Sequence, residues 1–225
     1  MKEKLTAVLD DHVLGRPGPP IVLVLDEVDR VFGRTYQYDF FGLLRSWHNA
    51  RAMRPAWKRL DLVLAISADP ADAIRDANQS PFNVGTRVRL DDLSPAQVAE
   101  LNRRWRTRLR TPELARLLDL TGGQPYLVQV ALHALATGTH TFGALLDAGR
   151  VDGGPFADHL SRHRHVVDRD ASLRRELRRA LDRGRCDNDG AFRRLRALGL
   201  VKGRDRTAVS LRCRLYREYF AGGVT

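Results

Sequence analysis

The run Ile21-Val22-Leu23-Val24-Leu25, followed at once by Asp26-Glu27-Val28-Asp29, constrains this chain more than any other feature. Five consecutive apolar residues preceded by Pro19-Pro20 are too few for a core helix and suit a strand buried on both faces of a parallel sheet. Ligands of such sheets bind beyond the carboxyl ends of the strands, so this strand delivers Asp26 and Glu27 to the edge where chemistry takes place. A second run, residues 60–67 (LDLVLAIS), has the composition of a central parallel strand, and residues 86–91 read as a third. A helix is expected over 39–53, with Phe40, Leu43, Leu44 and Trp47 as its apolar stripe, and a shorter one from Asp69-Pro70 to about residue 78. Strands alternating with helices predict an α/β layer with a parallel sheet.

The rhythm changes beyond Leu93. Ser94 as a cap, Pro95 at the first helical position and Gln97 three residues on form a capping box that starts a helix expected to run to about residue 109. Pro112 starts another, which Thr121-Gly122-Gly123 ends, and Pro125 starts a third; together they predict a small lid-like helical bundle. A Gly-rich stretch at 149–154 reads as a linker. In the last third, helices at 171–183 and 189–198 and a hairpin pairing 200–202 with 208–213 predict a helix-turn-helix with a wing. An amphipathic helix over 2–14, carrying Leu5, Val8, Leu9 and Val13, precedes all of this.

Composition narrows the function classes. With 225 residues, 43% of them hydrophobic, the chain buries one large or two small cores. It contains no apolar run of membrane-spanning length and no signal-peptide pattern, so a cytoplasmic location is expected. Two cysteines, Cys186 and Cys213, fall short of a disulfide framework or zinc spacing. The net charge of +11 lies mostly in residues 151–225, where 18 Lys+Arg face 10 Asp+Glu. Lysine occurs only at Lys2, Lys4, Lys58 and Lys202. So strong a bias to arginine follows from genome base composition as readily as from function.

Several motifs stand in a telling order: Leu25-Asp26-Glu27-Val28-Asp29, Asp39-Phe40-Phe41 with Leu44-Arg45, Ser80-Pro81-Phe82-Asn83-Val84-Gly85, Thr121-Gly122-Gly123-Gln124-Pro125-Tyr126-Leu127, and Leu198-Gly199-Leu200-Val201 with Arg214-Leu215-Tyr216. Taken together they resemble the bacterial AAA-like family allied to the STAND signalling ATPases. The resemblance implies a partial P-loop ATPase core over 1–92, comprising its Walker B strand (residues 21–25) and sensor strand (residues 60–67), a helical lid over 93–150 and a winged-helix domain over 151–225. It implies ATP and Mg²⁺ as ligands, with Asp26 on the metal, Glu27 orienting the attacking water, Ser67 as the sensor of the terminal phosphate, and Gly123 and Pro125 as the lid's nucleotide contact.

One part of the pattern is missing. The phosphate-cradling loop G-x-x-x-x-G-K-[ST] does not occur in the sequence, and neither does the strand that would precede it. An incomplete sheet is therefore expected, with either a gap beside residues 60–67 or a direct pairing of 60–67 with 86–91. The expected function is a regulatory switch module, truncated or degenerate, that does not hydrolyse ATP unaided; its expected partners are proteins, a P-loop segment, or further copies of itself. The alternative is a DNA-binding winged-helix regulator using Arg193, Arg194 and Arg196, with Lys202, Arg204 and Arg206 on the wing. Arg75, Arg87 and Arg89 read as ordinary solvated arginines. His159, His163 and His165 lack a supporting acid and read as a solvated helix face rather than a metal site.

Overall fold

The computed structural model describes residues 2–67, 80–88, 90–148 and 153–222. The chain divides into two compact units, Met1–Arg89 and Leu90–Thr225. Among the described residues the fold is mostly helical, with one small parallel sheet.

In the first unit, helix α1 (Lys2–Val8) continues into a π-helical turn, Leu9–Leu14. Strand β1 (Ile21–Leu25) pairs in parallel with β2 (Leu60–Leu64), Leu23 opposite Leu62, and helix α2 (Gln37–Met53) connects them. Phe41, Leu44, Trp47 and Trp57 form the core, and the Trp57 indole N–H donates to Asp10 at 2.5 Å. The strands were expected to be buried on both faces. Only one face is covered: Leu23, Leu25, Leu62 and Leu64 pack on the core, whereas Val22, Val24 and Val63 are 57%, 61% and 47% exposed.

The expected third strand does not form among the described residues of 86–91. Val88 and Leu90 are exposed, and β-propensity gives no strand where no neighbour accepts the ladder hydrogen bonds. A cleft of about 300 Å³ lies beside β2, lined by Leu60, Asp61, Leu62 and, across from them, Val84, Gly85 and Thr86. Among the described residues the sheet has two strands, and 86–88 and 90–91 do not pair with β2. The short helix anticipated after Asp69-Pro70 lies outside the described residues, as does most of the 149–154 linker.

The second unit contains helices α3 (Pro95–Trp105), α4 (Thr111–Thr121), α5 (Pro125–Ala136), α6 (Phe142–Leu146), α7 (Ala157–Asp168), α8 (Ala171–Arg183), α9 (Asp189–Ala197) and α10 (Arg214–Ala221), with strands β3 (Val201–Lys202) and β4 (Ser210–Leu211) pairing antiparallel. One continuous core, including Leu117, Leu127, Leu132, Leu160, Leu177, Leu195 and Phe220, joins all eight helices and the hairpin. The capping box of Ser94 and Gln97 forms as expected. Helix α3 nevertheless ends at Trp105, four residues early, because Arg106 turns into the left-handed region. Helices α6 and α7 lacked a clear apolar period, since α7 (ADHLSRHRHVVD) places only Leu160 and Val167 in the fully buried core.

Glu176 is fully buried in α8, yet it is not isolated. Its carboxylate accepts the N–H groups of Asp187 (2.6 Å) and Asn188 (3.3 Å) and a guanidinium N–H of Arg179 (2.5 Å). Burial opposes its ionisation, but these donors outweigh burial and hold its pKa below the usual range. The turn between α8 and α9 is built around this one carboxylate.

Candidate functional site

The acids at the end of β1 are positioned by backbone geometry. Leu25 carbonyl accepts the Ala65 N–H at 2.9 Å, and Ala65 carbonyl accepts the Val28 N–H at 3.1 Å, so the ladder with β2 is carried past the strand ends. Between these two bonds the chain turns sharply. Glu27 adopts φ 53° and ψ 38°, a left-handed conformation that disfavours a residue with a Cβ, and its N–H donates to the Asp26 carboxylate at 2.8 Å. Both side chains are exposed, and Glu27 pairs with Arg30 at 2.6 Å. Backbone outliers of this kind cluster at active sites and ligand clamps.

The Ser67 hydroxyl, just beyond β2, donates to the Asp29 carboxylate at 2.6 Å. The other Asp29 oxygen, Oδ1, is buried without a hydrogen-bond partner among the described residues. Asp26, Glu27, Asp29 and Ser67 therefore lie at the same end of two neighbouring parallel strands. Asp29 joins the expected candidates Asp26, Glu27 and Ser67 at this edge, and its position two residues after Glu27 is the sequence signal for it.

These oxygen donors suit a hard cation, which binds through one or two carboxylates and completes its shell with water and phosphate. The orphaned Asp29 oxygen is consistent with that chemistry. The described residues do not fit the phosphates themselves: none of them forms a glycine-rich cradle, and residues 2–14 are helical. No hydrolytic step follows from this set of residues alone.

The remaining predicted site residues belong to the second unit. Gly122 and Gly123 both have positive φ, 63° and 76°. A Cβ on Gly122 would stand 2.7 Å from the Arg212 carbonyl, and one on Gly123 would stand 2.5 Å from the Leu93 carbonyl. Leu93 N–H in turn donates to the Gly123 carbonyl at 2.7 Å. Close packing thus already requires both glycines. Pro125 opens α5, where Gln124 caps the helix by accepting the Leu127 N–H. Nearby, Asp92 pairs with Lys202 (2.6 Å) and Arg212 (2.5 Å), tying the hairpin to the segment that leads into α3.

Two of the three α9 arginines expected to meet DNA are paired with aspartates. Arg193 pairs with Asp189, and Arg194 pairs with Asp170 at 2.5 Å, the residue that also caps α8. Arg196 is exposed on α9. Arg87 is exposed, while Arg75 and Arg89 lie outside the described residues.

His159 and His163 correct the expectation of a solvated face, whereas His165 is exposed as expected. His159 is half-buried, accepting or donating a 2.7 Å hydrogen bond with the Tyr216 hydroxyl, stacking on Tyr126 at 4.9 Å and meeting His163 edge-on at 4.5 Å. Burial, then His163 and Arg162, press its pKa down to about 4. The i, i+4 spacing did indicate one face; what covers that face came from α5 and α10. No cluster of three or more His, Cys, Asp or Glu able to hold a metal occurs among the described residues.

A family model for the AAA-like domain matches residues 1–222. The chain belongs to the AAA-like domain family. Membership points to nucleotide binding in general terms. An uncharacterized WD repeat-containing protein of Synechocystis sp. is 32% identical over 142 residues, which is 60% of this chain and 12% of that protein. The chain thus spans about an eighth of that relative's length. No solved structure matches. No helix among the described residues is long and apolar enough to cross a membrane.

Proposed function

We propose that this AAA-like domain is the Walker B and sensor half of an ATPase-type signalling switch of the STAND kind, acting in the bacterial cytoplasm, and is not a self-sufficient hydrolase. The observation that carries the reading is the convergence of Asp26, Glu27, Asp29 and Ser67 at the carboxyl ends of two adjacent parallel strands. In this reading Asp26 holds Mg²⁺, Glu27 orients water and Ser67 senses the terminal phosphate. ATP binds only when a segment bearing the phosphate loop, from the same polypeptide or another, fills the gap beside β2. The bare apolar face of the sheet supports this, because parallel sheets are ordinarily covered on both sides.

Helices α3–α6 act as the lid, and α8, α9, the β3–β4 hairpin and α10 act as a winged helix that passes the nucleotide state to protein partners. Neutralisation of Arg193 and Arg194 by Asp189 and Asp170 favours this coupling role over base reading in DNA. Calorimetric titration and a phosphate-release assay test the proposal. The chain alone is expected to show no turnover that Glu27→Gln removes, and addition of a loop-bearing segment is expected to produce Glu27-dependent turnover. Glu27-dependent hydrolysis by the chain alone would overturn it.

A further inference from the structure

The loop between α3 and α4 is a cationic surface that no part of the switch mechanism uses. Residues 100–116 contain six arginines against two glutamates, a net charge of +4. Arg103 and Arg104 share Glu100, at 2.8 and 2.7 Å. Arg106, Arg108 and Arg110 are exposed, and no carboxylate among the described residues pairs with their guanidinium groups.

The loop is rigidly built. Arg106 and Arg108 both lie in the left-handed region, at φ 56° and 57°, each at a cost of about 1 kcal/mol for a residue with a Cβ. Asn102 holds them there. Its Oδ1 accepts the Leu109 N–H (3.0 Å) and the Thr107 hydroxyl (2.5 Å), its Nδ2 donates to the Leu109 carbonyl (3.1 Å), and its own carbonyl accepts the Thr107 N–H (3.3 Å). Thr107 and Leu109 are thereby drawn inward, and the arginines between and beside them are left outside. Glu113 anchors the end by accepting the Arg110 N–H at 2.7 Å.

We infer that residues 106–110 dock the phosphodiester backbone of nucleic acid without reading its sequence. Guanidinium groups are the preferred forks for phosphate, and a loop ordered in advance spends no binding energy on ordering itself. Alternate exposure of three arginines suits a repeating line of anions. A membrane-docking loop would present apolar side chains among its cations, and here the intervening Thr107 and Leu109 are half-buried. The inference is independent of the nucleotide switch, since it concerns neither the sheet edge nor the α9 arginines.

The test is fluorescence anisotropy of a labelled random-sequence DNA duplex with the full chain, titrated between about 50 and 200 mM salt. The variant R106N/R108N/R110Q removes the charge with residues that tolerate the left-handed backbone, and its melting midpoint should match the parent's. Its log–log salt slope should be shallower by about 2.7, at about 0.9 per phosphate contact. R106K/R108K/R110K should keep the slope, and R193Q/R194Q should leave binding unchanged. Absence of binding at low salt, an unchanged slope in the charge-removing variant, or tighter binding to poly-glutamate or anionic vesicles than to DNA would overturn the inference.

Discussion

Glu27 shows how much a single residue can record about a site. Asparagine or glycine would occupy its left-handed conformation at lower cost, and the cost of about 1–2 kcal/mol is borne where two carboxylates meet the sheet edge. His159 records the opposite economy, a titratable group kept neutral by its surroundings. Its pKa is lowered by burial, by His163 and by Arg162, whereas Tyr216 and Tyr126 offer no negative charge to offset them. His163 is shifted in the same direction. Because the folded pKa lies below that of the unfolded chain, stability from this pair is fully present above about pH 6.5 and is lost as pH falls toward 4. With allowance for the solvent that reaches this half-exposed cluster, the expected loss between pH 7 and 5 is roughly 1 kcal/mol, or about 3 °C in melting midpoint. Replacement of both histidines by phenylalanine should flatten the dependence over that interval; a variant that melts with the parent's pH profile would show the pair to be solvated.

At the scale of elements, the α4–α5 connection separates a packing role from a ligand role. Gly122 and Gly123 were legible as a helix stop, and the resemblance assigned Gly123 to nucleotide. The structure supplies a reason that needs no nucleotide: Leu93 and Arg212 carbonyls approach where side chains would be. Gly123→Ala should therefore destabilise the second unit by about 2–3 kcal/mol in urea unfolding with no nucleotide present. A neutral substitution would leave ligand contact as the main demand on that glycine. The α3 terminus teaches a related lesson. Residues 106–109 continue a plausible helical composition, and nothing short of the Asn102 side-chain network explains why the helix stops at Trp105.

At the scale of the molecule, two separate cores set the stability. The second unit buries a continuous cluster that includes Leu117, Leu127, Leu195 and Phe220, whereas the first unit rests on a two-stranded sheet with a bare face. Scanning calorimetry of the whole chain is expected to resolve two transitions, the Met1–Arg89 unit melting first. A single transition whose calorimetric and van't Hoff enthalpies agree would contradict independent units. The sequence by itself determined β1 and β2, the acids that follow β1, the capping box of α3, and helices α8 and α9 with the hairpin after them, because each is encoded by local periodicity and by residues that fix backbone angles. Only the tertiary structure decided that residues 86–91 form no strand among those described, that Ser67 reaches Asp29, that aspartates pair with Arg193 and Arg194, and that Tyr126 and Tyr216 pack on His159. Those outcomes depend on which groups distant in the chain come within hydrogen-bonding or packing distance, and no local pattern carries that information.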